Sequence, residues 1–385
     1  MKKLLLLAVT VSLVFTVFTG GVAAAAAKGT RYVSTSGTDS GDCTLSPCQT
    51  IGYAVSQADA KDTVQVAAGT YTESVSITKQ LALAGNGATI DATGFLNGIV
   101  VSGPDAAGTK VSGFTIINAE LEGIFANQTT RVTISDNTLR YNDAEGPFGP
   151  DCVAQPDDCG EALHLQSVTN STVTRNLVRD NIGGILLTDE DGPTSGNMIS
   201  YNQVLENTLD CGITLASHWF TIGAAVTPDV AGVYKNRIFR NTSSGNGAAG
   251  IGIFAGPPGA AAWGNVVEGN TAMNNGLPGV AIHSHTAFQN ANDNVVVNNV
   301  LAGNGPDDDL VLLDPSADGA TGISVMADVI SVSPPILPAS PIARVVISGN
   351  RISDEEFGVF TLGTDVVSGL PSDKFDSVDV PVTVH

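Results

Sequence analysis

Apolar and polar positions along this chain alternate in short runs, and the runs recur. One unit is N-x-h-x-x-N, where h is apolar: Asn137–Asn142, Asn176–Asn181, Asn202–Asn207, Asn236–Asn241, Asn270–Asn275 and Asn299–Asn304. A second unit, G-h-x-h, follows most of these within about ten residues: Gly123–Ala126, Gly184–Leu187, Gly212–Leu215, Gly250–Ile253, Gly279–Ile282, Gly322–Val325 and Gly358–Thr361. The repeat length varies from about 26 to 39 residues, the range of a solenoid built from stacked coils. Each unit reads as a short strand, with Asn and Gly expected at corners of positive φ. Equivalent Asn residues of successive coils are expected to hydrogen-bond into ladders. Segments 143–160, 216–231 and 304–344 interrupt the coils as loops.

The N-terminal part differs. Ile51, Ala54, Val55 and Ala58 fall at helical spacing, which predicts a short helix closing the apolar end of the tube. Around it run Tyr32-Val33-Ser34, Gly37-Thr38-Asp39, Asp62–Val66, Gly69–Glu73, Leu81–Gly85 and Thr89-Ile90-Asp91. This order resembles the opening of right-handed parallel β-helix proteins of the pectin-lyase-like superfamily, and the later coils extend the resemblance over roughly residues 31–365. It implies an all-β fold: a single-stranded right-handed parallel β-helix with an N-terminal capping helix. The expected division is a capping segment at about 31–60, coils at about 61–365 and a C-terminal cap at about 366–385.

Lys2 and Lys3, the apolar run Leu4 to Phe18 and the small residues Ala23 to Ala27 read as a secretory signal over 1–27. The mature chain, from 28 onward, is therefore expected outside the cytoplasm, with no membrane insertion. Export makes two local disulfides reasonable, Cys43–Cys48 and Cys152–Cys159, with Cys211 left as a small buried apolar residue. The formal charge of −21 argues against nucleic acid and anionic membranes as partners, since both demand a basic face. A polysaccharide or cell-envelope glycan, bound by a monomer, is the expected partner.

Aligning coils on the glycine of G-h-x-h brings distant residues onto one outward face. His164 and Gln166 lead it, followed by Leu186, Thr188 and Glu190, then Thr214, Ala216 and His218. Gly252, Phe254 and Gly256 come next, then Ala281, His283 and His285, then Ser324, Met326 and Asp328. Four of the five histidines fall here; the fifth is His385. With coils about 4.8 Å apart, Glu190 and His218 become neighbours, a carboxylate beside an imidazole that suits general acid–base catalysis. Phe254 would floor the groove, and His164, Gln166, Thr188, Trp219, His283 and His285 would hold substrate.

Two cation sites also need weighing. Asp189, Asp191 and Asp210 could cluster around Ca²⁺, or form only an exposed acidic turn. His283 and His285, at i and i+2 on a strand, could share a transition metal; no cofactor is otherwise required. Asp307-Asp308-Asp309 reads as a solvated loop. The leading functional expectation is a secreted protein that processes a polysaccharide by elimination or hydrolysis. A non-catalytic envelope scaffold, or a metal-binding accessory resembling the periplasmic copper-related β-helix proteins, are the alternatives. The paired aspartates with Gly-His-Gly and Arg-x-Lys of polygalacturonase-like members are absent, and the face carries no Arg or Lys.

Overall fold

The computed structural model describes residues 29–142, 161–308, 319–327, 338–364 and 367–384. The expected signal segment, the Cys152–Cys159 pair, Asp328 and His385 lie outside them. Short parallel strands wind into a β-helix with three walls. The first wall stacks Ile99–Ser102, Ile124–Asn127, Glu161–Gln166, Gly183–Thr188, Ile213–Ser217, Ile251–Ala255, Val280–Ser284 and Thr321–Ala327. Second and third walls run alongside through strands such as Met198–Ser200 to Arg237–Phe239 and Gln203–Leu205 to Thr242–Ser244.

Inward side chains stack in columns. Ile124, Leu163, Ile185, Ile213, Ile251 and Val280 pair in register down the first wall, and all are buried. Each removes roughly 1.5–3 kcal/mol worth of apolar surface from water, so the column locks the register: a one-residue slip would turn it to the outside. At the N-terminal end the helix Ile51–Gln57 buries Ile51, Ala54 and Val55, with Thr50 as its N-cap. The disulfide Cys43–Cys48 is present, and Cys211 is buried and unpaired. The tail from about 366, expected to pack across the open end, instead adds a parallel rung: Lys374–Val384 pairs with Arg351–Leu362.

The corners differ from the expectation. The ladder asparagines do not take positive φ; the residue before each one does, as at Arg175, Tyr201, Lys235 and Arg240. The asparagines are buried because their side chains turn inward and bond from coil to coil. Asn202 illustrates the unit: its N–H and Nδ2 donate to Asn241 Oδ1 at 2.9 and 3.0 Å, and its Nδ2 also donates to Val173 O. Nor do the G-h-x-h glycines need positive φ. A Cβ on Gly250 would sit 2.7 Å from the carbonyl of Gly279, and one on Gly279 would sit 2.9 Å from that of Gly322. Close approach of successive coils selects glycine there.

Candidate functional site

The first wall is unlike the others. Strands Gly183–Thr188, Ile213–Ser217 and Val280–Ser284 are buried at every position, whereas Leu177–Arg179 and Arg237–Phe239 alternate. Outward side chains on this wall therefore lie at the bottom of a recess. A cleft of about 540 Å³ opens over it, within the usual size of a small-ligand site. It crosses the rungs of Ile213–Ser217, Ile251–Ala255 and Val280–Ser284. One rim carries Leu209, Asp210, Ala248 and Leu277; the other carries His218, Gly256 and His285; Asp307 and Asp308 close one end.

Glu190 and His218 are neighbours, as the register requires, with His218 Nδ1 2.7 Å from Glu190 Oε1. Burial raises the Glu190 carboxyl, but His218, the Thr188 hydroxyl and the charge of His164 outweigh it and bring it down to about 2. Glu190 is thus an ionised acceptor, and Nδ1 of His218 is the donor. Chemistry on this imidazole then falls to Nε2. Asp189 sits behind the pair, accepting from His218 N–H at 2.7 Å, Ser217 Oγ at 2.8 Å and Gly232 N–H at 2.7 Å. Burial pushes its carboxyl up despite these donors.

The pair continues inward. Thr188 Oγ1 donates to Glu190 Oε2 and lies 2.8 Å from His164 Nε2. A hydroxyl has one hydrogen, so Nε2 of His164 must donate to it. His164 Nδ1 in turn faces Glu122 Oε1 at 3.4 Å. A chain of contacts therefore runs Glu122, His164, Thr188, Glu190, His218 across successive rungs. Glu122 escaped sequence reasoning because it precedes the glycine of its G-h-x-h unit, at a position the register did not aim toward the wall.

A second carboxylate–imidazole pair faces the same cleft. His283 Nε2 meets Asp307 Oδ2 at 2.9 Å, with both side chains buried. Asp307 is therefore no solvated loop residue, and nothing in its acidic run announced this. Phe254 lies edge-on to His283, ring centroids 5.4 Å apart, and can lie over the sheet because Gly252 beneath it has no side chain.

Other expected residues fall elsewhere. Trp219 packs with Val226, Ala231 and Ala261 beside the wall and does not line the cleft. Gln166 faces Asp191, 3.4 Å away, and His164 and Thr188 lie buried behind Glu190. Asp189, Asp191 and Asp210 do not assemble a calcium site: Asp189 is turned onto protein donors, Asp191 toward Gln166 and Asp210 toward the cleft. His283 and His285 hold their rings 5.3 Å apart and nearly perpendicular, with Nε2 of His283 engaged by Asp307. Among the described residues no three His, Cys, Asp or Glu side chains form a metal-holding group.

Comparison with known proteins settles the fold. The family model described as right handed beta helix region matches residues 96–301, more than half of the chain. The protein belongs to that family. Among solved structures, the β-helix is similar to the A-module of mannuronan C-5 epimerase AlgE4 of Azotobacter vinelandii, with 15% identity, TM-score 0.58, and coverage of 87% of this chain and 91% of that one. The AlgE6 A-module of the same organism gives 14% identity, TM-score 0.56, and coverage of 84% and 87%. The Streptococcus pneumoniae surface protein and adhesin PfbA gives 14% identity, TM-score 0.50, and coverage of 84% and 87%. These likenesses show the fold alone. No curated protein matches the sequence. No helix among the described residues is long and apolar enough to cross a membrane.

Proposed function

We propose that the protein is an exported glycan-processing enzyme, acting in the first-wall cleft by proton transfer through His218. The observation that carries this reading is the convergence of two carboxylate–imidazole pairs, Glu190–His218 and Asp307–His283, on one cleft. Cleavage by elimination or by hydrolysis needs one group to take a proton and another to give one. Two imidazoles, each oriented by a carboxylate, supply both roles. In this reading Glu190 holds Nδ1–H of His218 and stabilises the imidazolium formed when Nε2 takes a proton. His283 faces the substrate from two rungs away, about 10 Å by strand spacing, and Phe254 offers a ring face to the sugar. The named activity of the epimerase modules, on a polysaccharide, is consistent with this cleft as a glycan site.

The test is a screen of purified protein against plant and bacterial polysaccharides, followed by variants. Glu190→Gln and His218→Ala should each lower the rate about 10²–10⁴-fold, the usual contribution of general acid–base catalysis. Unchanged rates would remove the pair from the mechanism. A polymer that is bound and never altered would instead assign the fold to glycan attachment.

A further inference from the structure

We infer that the cleft takes a non-acidic glycan, one that carries neither carboxylate nor sulfate groups. This rests on the glycan reading above and narrows it. The lining presents Asp210, Asp307 and Asp308 with His218, His283 and His285, and no lysine or arginine. The lack extends well beyond the cleft. Residues 180–234 and 241–343, which supply every rung and rim of the site, contain no Lys or Arg at all, and neither does the loop 143–160. The intervening basic cluster, Lys235, Arg237 and Arg240, belongs to a different wall. Arg237–Phe239 pairs with Met198–Ser200 and Val266–Glu268. There Arg237 bonds Glu268 at 2.6 Å, and both arginines lie over the Phe239 ring.

An anionic polymer entering this cleft meets like charge on the rim and finds no guanidinium or ammonium to pair its carboxylates. Recognition of carboxylate normally relies on such partners. A bridging cation would have to be held by the protein, and the described acidic residues form no group able to hold one. The apolar elements (Phe254, Leu209 and Leu277) instead match the C–H faces of an uncharged sugar ring, and the aspartates match its hydroxyls or an amine substituent. The chain's negative charge of −21 extends the same bias to long range, where it slows the approach of polyanions.

The experiment is calorimetric titration of the full chain at low ionic strength with three oligosaccharides of equal length: a neutral glucan, a chitosan and a polymannuronate. Each is run with a chelator and again with Ca²⁺. The neutral or the amine-bearing chain should bind at least tenfold tighter than the polymannuronate in both conditions. Asp210→Asn combined with Asp308→Asn should narrow that gap by raising affinity for the uronate. Polymannuronate binding as strong as that of the others, with or without Ca²⁺, would overturn the inference while leaving the cleft a glycan site. If none of the three binds, nor any polymer of the wider screen, the glycan reading fails and takes this inference with it.

Discussion

Thr188 carries one hydroxyl hydrogen, and the two side chains around it, Glu190 and His164, fix how it is used. Thr188→Val keeps the shape and removes the link. It leaves a buried His164 donor without its acceptor, which costs about 1–3 kcal/mol, and takes a donor from Glu190. We expect the denaturation midpoint to fall accordingly and the Glu190 carboxyl to titrate higher, readable by carboxyl-carbon NMR. An unchanged Glu190 titration would mean the hydroxyl contributes nothing to its acidity. At this scale the sequence was informative wherever a residue sits on the strand. The spacing from Gly184 and Gly212 placed Glu190 beside His218. Glu122 and Asp307 stand in turns, outside the period, and no spacing aims a turn side chain. Trp219 was misplaced for the same reason: it follows the strand, and packing in the neighbouring loop decides where its ring goes.

The ladders are the elements that hold the coils in step. Asn241 accepts from Asn202 N–H and Nδ2 and donates to Ile199 O and Asn270 Oδ1. Asn241→Ala therefore strips partners from four buried groups. Its cost should exceed the 1–3 kcal/mol of one orphaned group, measured by chemical denaturation; a loss under 1 kcal/mol would mean the ladder is dispensable. One ladder ends not in Asn but in Glu355, which accepts from Asn304 N–H and Nδ2. Burial raises its carboxyl to about 7 in spite of those donors. Its folded pKa lies above its unfolded one, so as pH rises from about 4.3 to about 7 the unfolded chain releases the proton first. Stability falls over that window, by up to about 1.4 kcal/mol per pH unit. Glu355→Gln keeps the acceptor and should remove this slope; a wild-type slope persisting in the variant would assign it to other groups. The asparagines were legible as ladder formers, but not as residues that leave positive φ to their predecessors. Burial of the side chain, invisible in a local pattern, decides that.

For the whole molecule, the recurring units and the capping helix made the β-helix readable before any coordinates, because period and register are written directly in the order of apolar residues. The recess over the first wall was not readable, since it depends on turns of irregular length standing over the sheet. Acid behaviour also belongs to this scale. Glu190, lowered to about 2, contributes stability that is present above the unfolded carboxyl range and is lost as pH falls from about 4.3 through about 2. Combined with Glu355, this predicts a stability maximum near pH 4–5 from these two groups, flattened on the acid side in Glu190→Gln and on the alkaline side in Glu355→Gln. Thermal denaturation across pH checks both limbs.

The central claim is that ligand and chemistry meet at the cleft beside His218. With few histidines in the chain, their ring proton resonances are separable, and titration with whichever oligosaccharide binds tests the claim directly. His218, His283 and His285 should shift together and saturate at the binding stoichiometry, with the largest change at His218. A glycan that binds while leaving all three resonances in place would contradict it.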